Sequence, residues 1–78
     1  MTMTTEKENR MVRVVIDFLG YEKPAVASVL RGLFSDYRRS FESIRFERDT
    51  TEQNRWYTEF YLRVCDVKRL NVLLREVS

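Results

Sequence analysis

The sequence contains no histidine and a single cysteine, Cys65. Histidine is the commonest general base, the commonest metal ligand and the usual activator of a serine or cysteine nucleophile, so most familiar catalytic centres are excluded. A lone cysteine cannot close a disulfide within the chain, which argues against a stapled secreted domain and favours a reducing, cytoplasmic setting. We therefore expect no enzyme, no metal and no cofactor, and an ordinary thiol at Cys65.

The sequence also lacks a long apolar run and a large excess of one charge. The longest aliphatic run is Val14-Val15-Ile16, far short of the roughly 20 apolar residues that a membrane helix requires. The 14 basic and 12 acidic residues leave a net charge of +2, whereas dedicated nucleic-acid binders usually carry a marked basic excess on one face. Residues 1–10 are polar, without the apolar core of a secretory signal, and we expect a flexible leader there.

Hydrophobic alternation predicts three strands. Apolar side chains recur at every second position in Met11–Leu19 and again in residues 56–64, as on half-buried strands. A weaker alternation predicts another strand over residues 40–48. The polar residues 49–54 then predict an exposed hairpin loop between the last two strands.

Apolar residues at helical spacing predict two helices. Pro24 suits the first turn of a helix, and apolar residues at offsets of 0, 3, 4, 7, 8 and 11 from Val26 extend the pattern to Tyr37. We expect this helix over residues 24–38. Asp66 is a good N-cap for a last helix. The apolar stripe of that helix consists of Val67, Leu70, Leu73, Leu74 and Val77.

The order strand, helix, strand, strand, helix predicts one two-layer α+β domain over residues 11–78. The ferredoxin-like split βαβ plan (βαββα) fits this order, with a three-stranded sheet of order 1-3-2 and both helices on one face. A right-handed crossover would place the first strand parallel to a neighbour, and a hairpin would join the other two. The outer edge of the first strand then needs a cover, which a second chain, the leader or a partner would supply. A homodimer is the natural remedy.

Several segments follow the pattern of one family. They are the strand Val12-Arg13-Val14-Val15-Ile16, the turn Glu22-Lys23-Pro24-Ala25-Val26, the helix end Leu33-Phe34, and the helix segments Asp66-Val67-Lys68-Arg69-Leu70 and Leu73-Leu74-Arg75. Over residues 12–77 the chain resembles the ACT domain, a regulatory module of amino-acid-metabolism enzymes and stringent-response synthetases. It departs from that family at Ala25, where effector-binding members usually have glycine, and in having no final strand. The resemblance implies a non-catalytic regulatory domain that senses an amino acid or another small anion.

The loop between the first strand and the first helix is the predicted ligand site. A helix N-terminus there presents backbone N–H groups and the positive end of its dipole to a carboxylate or another anion. An ordinary strand-to-helix turn is the alternative. The candidate residues are Gly20, Tyr21, Glu22, Lys23, Pro24 and Ala25.

The strand edge and the outward sheet face form the predicted partner surface. Its two outward tyrosines also allow an alternative function, a small RNA- or DNA-binding module in which aromatic rings stack on bases. Against that reading, Glu59 lies between the two tyrosines and residues 55–61 lack the glycines of the RNA-binding signature. The candidate interface residues are Val12, Arg13, Val15, Asp17, Tyr57, Tyr61 and Arg63.

A group of arginines near the predicted hairpin is a second possible anion site. Acidic residues are interleaved with them, which favours a solvated surface of salt bridges. The arginines are Arg38, Arg39, Arg45, Arg48 and Arg55, and the acids are Glu42, Glu47, Asp49 and Glu52.

Overall fold

A computed structural model describes residues 1–35 and 44–77 of the chain. The elements within these ranges are the strands β1 (Thr2–Glu8), β2 (Met11–Leu19), β3 (Glu47–Arg48) and β4 (Arg55–Arg63) and the helices α1 (Lys23–Phe34) and α2 (Val64–Val77). The strands form one four-stranded sheet of order β1-β2-β4-β3. Each neighbouring pair is antiparallel, so the fold is α+β with an open antiparallel sheet.

The first ten residues form a strand and a turn, where the sequence predicted a flexible leader. β1 pairs with β2 over its whole length, from Thr2 opposite Asp17 to Glu8 opposite Met11. The chain reverses through a turn in which Asn9 has a φ of 57°, as two-residue hairpin turns require at their first central position. β1 carries almost no apolar alternation to reveal it, since its side chains are polar and exposed apart from a half-buried Met3. The edge of β2 is therefore covered by the chain itself.

The predicted three-stranded sheet of order 1-3-2 is wrong because β1 adds a fourth strand beside β2. The predicted parallel neighbour is also wrong, since β4 lies between β2 and β3 and is antiparallel to both. The strand predicted over residues 40–48 is described only from residue 44, and there it is confined to β3. The predicted end of the first helix at residue 38 lies outside the described residues.

Two apolar side chains that precede β3 pack into the core. Ile44 is buried and Phe46 packs against the core, its ring centroid 5.7 Å from that of Phe18 in an edge-on contact. Both side chains therefore reach the core from residues that pair with no strand in the described structure. The apolar alternation that predicted a strand here reflects burial of a loop.

The predicted hairpin loop over residues 49–54 is confirmed, since β3 and β4 pair in antiparallel fashion on either side of it. Asp49 shapes the loop by accepting hydrogen bonds from the Thr51 N–H, at 2.8 Å, and the Thr51 hydroxyl, at 2.7 Å. These hydrogen bonds hold the pKa of Asp49 below its ordinary value.

Both helices bury their apolar stripes against one face of the sheet, as predicted. The inward phases of β2 and β4 are confirmed, and the Phe34 and Phe60 rings meet edge-on with centroids 5.4 Å apart across the helix–sheet interface. The buried residues contributed by the helices are Val26, Val29, Leu30, Leu33, Phe34, Leu70 and Leu74.

The start of the last helix differs from the prediction. α2 begins at Val64, two residues before the predicted N-cap Asp66, so Asp66 lies in its first turn. Val64 consequently belongs to the helix instead of the preceding strand, and it is exposed. Val77 is also exposed, although the spacing assigned it to the apolar stripe. The chain passes from β4 directly into α2 with no connecting loop.

We expect Thr58→Val to raise the free energy of unfolding by about 1 kcal/mol, because it removes a buried hydroxyl that lacks a hydrogen bond. Thr58 is fully buried, and within the described structure its Oγ1 has no partner. Urea denaturation measures the change. Thr58→Ala is the control, and it should lower stability because it also leaves a cavity. A valine variant less stable than the wild type would contradict the assignment.

Gly20 lies against the hairpin loop, and its N–H donates a 3.0 Å hydrogen bond to the backbone oxygen of Asn54. A Cβ at Gly20 would lie 2.2 Å from Asn54 Oδ1. Because the exposed Asn54 side chain can turn away, we expect Gly20→Ala to lower the free energy of unfolding by about 0.5 kcal/mol or less. Asn54→Gly removes the obstructing side chain, and glycine suits the φ of 65° at that position. The double variant should recover most of the loss in thermal denaturation. Strictly additive losses would contradict this contact.

Candidate functional site: the open face of the sheet

The sheet has one face covered by the helices and one face directed outward, as an antiparallel sheet allows. The strand register brings alternate residues of all four strands together on the outward face. We call this surface the open face. Its charged and aromatic residues, together with Val15, are Glu6, Glu8, Arg13, Asp17, Glu47, Arg55, Tyr57, Glu59, Tyr61 and Arg63.

Most of the predicted interface residues are brought together on the open face. Val12 is the exception and its assignment is wrong, because it is 7% exposed and belongs to the core. It shares the inward phase of Val14 and Ile16, which its position in the alternation already indicated. The six that share the open face are Arg13, Val15, Asp17, Tyr57, Tyr61 and Arg63.

Arg13 is the centre of an ion-pair cluster on this face. Its guanidinium is hydrogen-bonded to the Glu59 carboxylate, and its Nη1 lies 3.7 Å from Glu6 Oε2. The Glu59 hydrogen bond and the two negative charges raise the pKa of Arg13 above its ordinary value. Two carboxylates therefore already balance the charge of Arg13.

Tyr61 lies opposite Arg13, and its phenol interacts with Glu8 of β1. A hydrogen bond from its phenol to the Glu8 carboxylate, together with the charge of Glu8, raises the pKa of Tyr61 above its ordinary value. The ring remains 39% exposed. The phenol thus interacts with the Glu8 carboxylate, while part of the aromatic surface stays accessible.

A row of three residues crosses β2, β4 and β3. Tyr57 lies directly opposite Asp17 on one side and Glu47 on the other. Directly opposed Cβ atoms in such ladders are about 4.5–5.5 Å apart, so a carboxylate flanks each side of the ring. Neither carboxylate forms an ion pair with any part of the chain that the structure describes. Tyr57 is 38% exposed.

The predicted ligand loop forms a 3-10 turn over Gly20–Glu22 and then the first turn of α1. The Glu22 carboxylate accepts a 2.9 Å hydrogen bond from the Leu19 N–H and lies 3.4 Å from the amino group of Met1. The loop therefore places a negative charge of its own where an anion was expected.

A cavity of about 230 Å³ lies beside this loop. Its volume is below the roughly 300 Å³ at which small-molecule sites begin, and Glu22 is its one charged lining side chain. Three of the six predicted loop residues, Tyr21, Glu22 and Ala25, line it together with Met1 and Val77. The Met1 amino group pairs with Glu22 in this lining, so the cavity offers an anion no net positive charge.

The remaining loop residues point elsewhere. Lys23 Nζ lies 4.4 Å from the centroid of the Trp56 ring, while Gly20 contacts the hairpin loop and Pro24 is exposed. Neither the spacing nor the composition indicated the contact between Lys23 and Trp56.

The predicted arginine cluster is not assembled as an anion site within the described residues. Arg48 lies over the Trp56 ring, 5.4 Å from its centroid, beside the Lys23 amine. Arg55 Nε donates a 2.6 Å hydrogen bond to Glu52. Of the other members, Arg45 is exposed and Arg38, Arg39 and Glu42 lie outside the described residues.

Other kinds of site find little support in residues 1–35 and 44–77. No group of three or more cysteine, aspartate or glutamate side chains is placed there to hold a metal ion. Neither helix in these ranges combines the length and the apolar character that a bilayer crossing needs. Cys65 is an exposed free thiol in the first turn of α2.

Comparisons with protein-family models, with curated proteins and with solved structures find no match to this chain. The resemblance to the ACT domain therefore stays a prediction. Any function has to be argued from the open face and from the edges of the sheet.

We expect Glu8→Gln to lower the pKa of Tyr61, because the variant loses the charge that opposes ionisation of the phenol. Since the folded-state pKa is raised, the stability from this contact is present below pH 10 and is lost as the pH rises through the raised value. Ultraviolet or NMR titration of the tyrosines measures the shift. Glu6→Gln is the matched control and should leave the Tyr61 pKa little changed. Equal effects of the two variants would contradict the assignment to Glu8.

Proposed function

We propose that this chain is a non-catalytic interaction module that associates with a second copy of itself through the outer edge of β1. The observation that carries the proposal is a seven-residue strand at the edge of the sheet, whose outer side pairs with no other strand among the described residues. The proposal concerns association and leaves out anion sensing, because Glu22 and the Met1 amino group paired with it leave the cavity beside the ligand loop without a net positive charge.

The outer side of β1 carries a regular row of backbone donors and acceptors. In an antiparallel ladder, every second residue directs its N–H and C=O toward the neighbouring strand. The two-residue hairpin makes Glu8 and Met11 a hydrogen-bonded pair, so the backbone groups of Met3, Thr5 and Lys7 face away from β2. An unpaired row of this kind is a template for strand addition.

The charges of β1 are compatible with antiparallel pairing between two copies. The register that engages the whole strand is centred on Thr5 and follows the twofold symmetry of most protein dimers. It allows about six backbone hydrogen bonds between the copies. No like charges oppose each other in this register, which avoids the destabilisation that directly opposed like charges cause. It places Thr5 opposite Thr5 of the second copy, and Glu6, Lys7 and Glu8 opposite Thr4, Met3 and Thr2.

The alternative, a nucleic-acid-binding module, is less well supported. Phosphates dominate the affinity of such complexes, yet the row around Tyr57 carries two carboxylates without an ionic partner in the described structure. The Glu8 carboxylate, which raises the pKa of Tyr61, places a further negative charge near that ring. Base stacking on these two rings would bring phosphates toward negative charge.

Two lysine substitutions at adjacent positions test the proposed edge. Thr5→Lys places two positive charges opposite each other across the twofold axis, so we expect the dimer to weaken by about tenfold or more. Thr4→Lys adds the same charge one residue away but places it opposite Glu6 of the second copy. We expect the Thr4 variant to remain at least as dimeric as the wild type. Sedimentation equilibrium between about 10 and 500 μM measures both, with circular dichroism to confirm folding.

Thr5→Pro gives an independent check, because it removes an outward N–H without changing the charge. It should also shift the chain toward monomer. A wild-type chain that stays monomeric over the whole concentration range contradicts the proposal, as does an equal response of the Thr4 and Thr5 lysine variants.

A further inference from the structure

We infer that the open face is a docking surface for an arginine-rich segment of a partner protein, centred on the row Asp17, Tyr57 and Glu47. This inference goes beyond the proposed self-association, since it concerns the face of the sheet instead of its edge. It depends on the charge balance of the face, on the geometry of this row and on the exposed tyrosine ring.

The open face is acidic although the whole chain has a net charge of +2. Its five carboxylates outnumber its three arginines, Arg13, Arg55 and Arg63. Each arginine is already engaged by a carboxylate: Arg13 on the face itself, Arg55 by Glu52 and Arg63 by Asp66. The remaining negative charge complements a cationic partner and repels an anionic one.

The row around Tyr57 has the arrangement that a guanidinium group prefers. Asp17 and Glu47 flank the ring on opposite sides, so a cation stacked on the ring lies within reach of both carboxylates. Cation–π attraction and charge-assisted hydrogen bonds then act on the same group. Arginine satisfies both because its planar guanidinium stacks on aromatic rings and matches carboxylate geometry.

The chain uses the same cation–π contact on the other face of the sheet. There, Lys23 and Arg48 lie over the Trp56 ring, 4.4 and 5.4 Å from its centroid. Trp56 thus has cations supplied from within the chain, whereas no described cation lies over the ring of Tyr57. In the inferred complex, the partner supplies the cation that stacks on the Tyr57 ring.

A second copy of the chain is not the occupant that the charges favour. Two open faces placed against each other would oppose five carboxylates with five more. The exposed Lys68 and Arg69 of α2 offer cations, but a helix-to-sheet contact between copies is heterologous and generates rings or open chains instead of a twofold dimer. An arginine-rich segment of a different protein meets neither difficulty.

A fluorescein-labelled nine-residue oligoarginine peptide tests the inference by fluorescence anisotropy at about 50 mM NaCl. We expect saturable binding, which Asp17→Asn and Glu47→Gln each weaken about fivefold and the two together at least tenfold. Tyr57→Leu should weaken binding about threefold at unchanged charge.

Glu76→Gln is the matched control. It removes one exposed carboxylate from α2, away from the sheet, and should leave the affinity for the peptide within about twofold of the wild type. Fluorescein-labelled oligoglutamate and a labelled 15-nucleotide oligothymidine, each titrated with the protein in the absence of the peptide, should show no saturable binding.

Three results would overturn the inference: no binding at this salt concentration, an equal loss in Glu76→Gln and Asp17→Asn, or no change in Tyr57→Leu. Rings or open-ended polymers of the wild-type chain that dissociate in the Asp17→Asn variant would identify a second copy as the occupant and would also overturn the inference. The Thr5→Lys variant, which we expect to be monomeric, distinguishes a failure of this inference from a failure of the proposed dimer. If that variant binds the peptide with the affinity of the wild type, the inference about the open face is supported whether or not two copies pair through β1.

Discussion

The antiparallel pairing of β2 with β4 is the interaction on which the rest of the structure depends. Nine residues of each strand oppose one another, from Met11 and Arg63 to Leu19 and Arg55. Because side chains alternate between the two faces, the register that buries one face beneath the helices also fixes every neighbour on the other face. A shift of one residue would exchange the two faces, so the core and the open face are specified together.

The strands and helices with strong apolar periodicity were predictable, and the weakly periodic strands were not. β2, β4 and the buried stripes of both helices follow directly from their spacing. β1 is stabilised by its backbone ladder to β2 and by the turn at Asn9, and its polar side chains leave little periodic signal. Ile44 and Phe46 alternate as on a strand but lie before β3, because a loop can bury alternate side chains as a strand does; of the described part of the predicted strand, only Glu47 and Arg48 pair with a neighbour.

The alternation in β2 and β4 predicted most of the residues on the open face. The contacts among those residues could not be predicted, because they depend on β1 and β3 as well. The engagement of Arg13 by Glu6 and of Tyr61 by Glu8 depends on a strand that the sequence did not reveal. The approach of Glu47 to Tyr57 depends on the register of β3. The ligand loop was assigned from the dipole of the helix, and the sequence did not indicate that the Glu22 carboxylate would bind the Leu19 N–H and pair with the Met1 amino group beside it.

The symmetry of strand pairing adds a geometric consequence to the edge position of β1. Residues that oppose each other in an antiparallel ladder share a face, so in the proposed dimer, joined at Thr5, the two rows centred on Tyr57 would lie on one continuous surface. With strands about 4.8 Å apart and about 3.3 Å per residue along each strand, the rows are separated by roughly 30 Å. A ligand with two basic clusters at that spacing would bind with avidity, through a high effective concentration that a single copy does not provide.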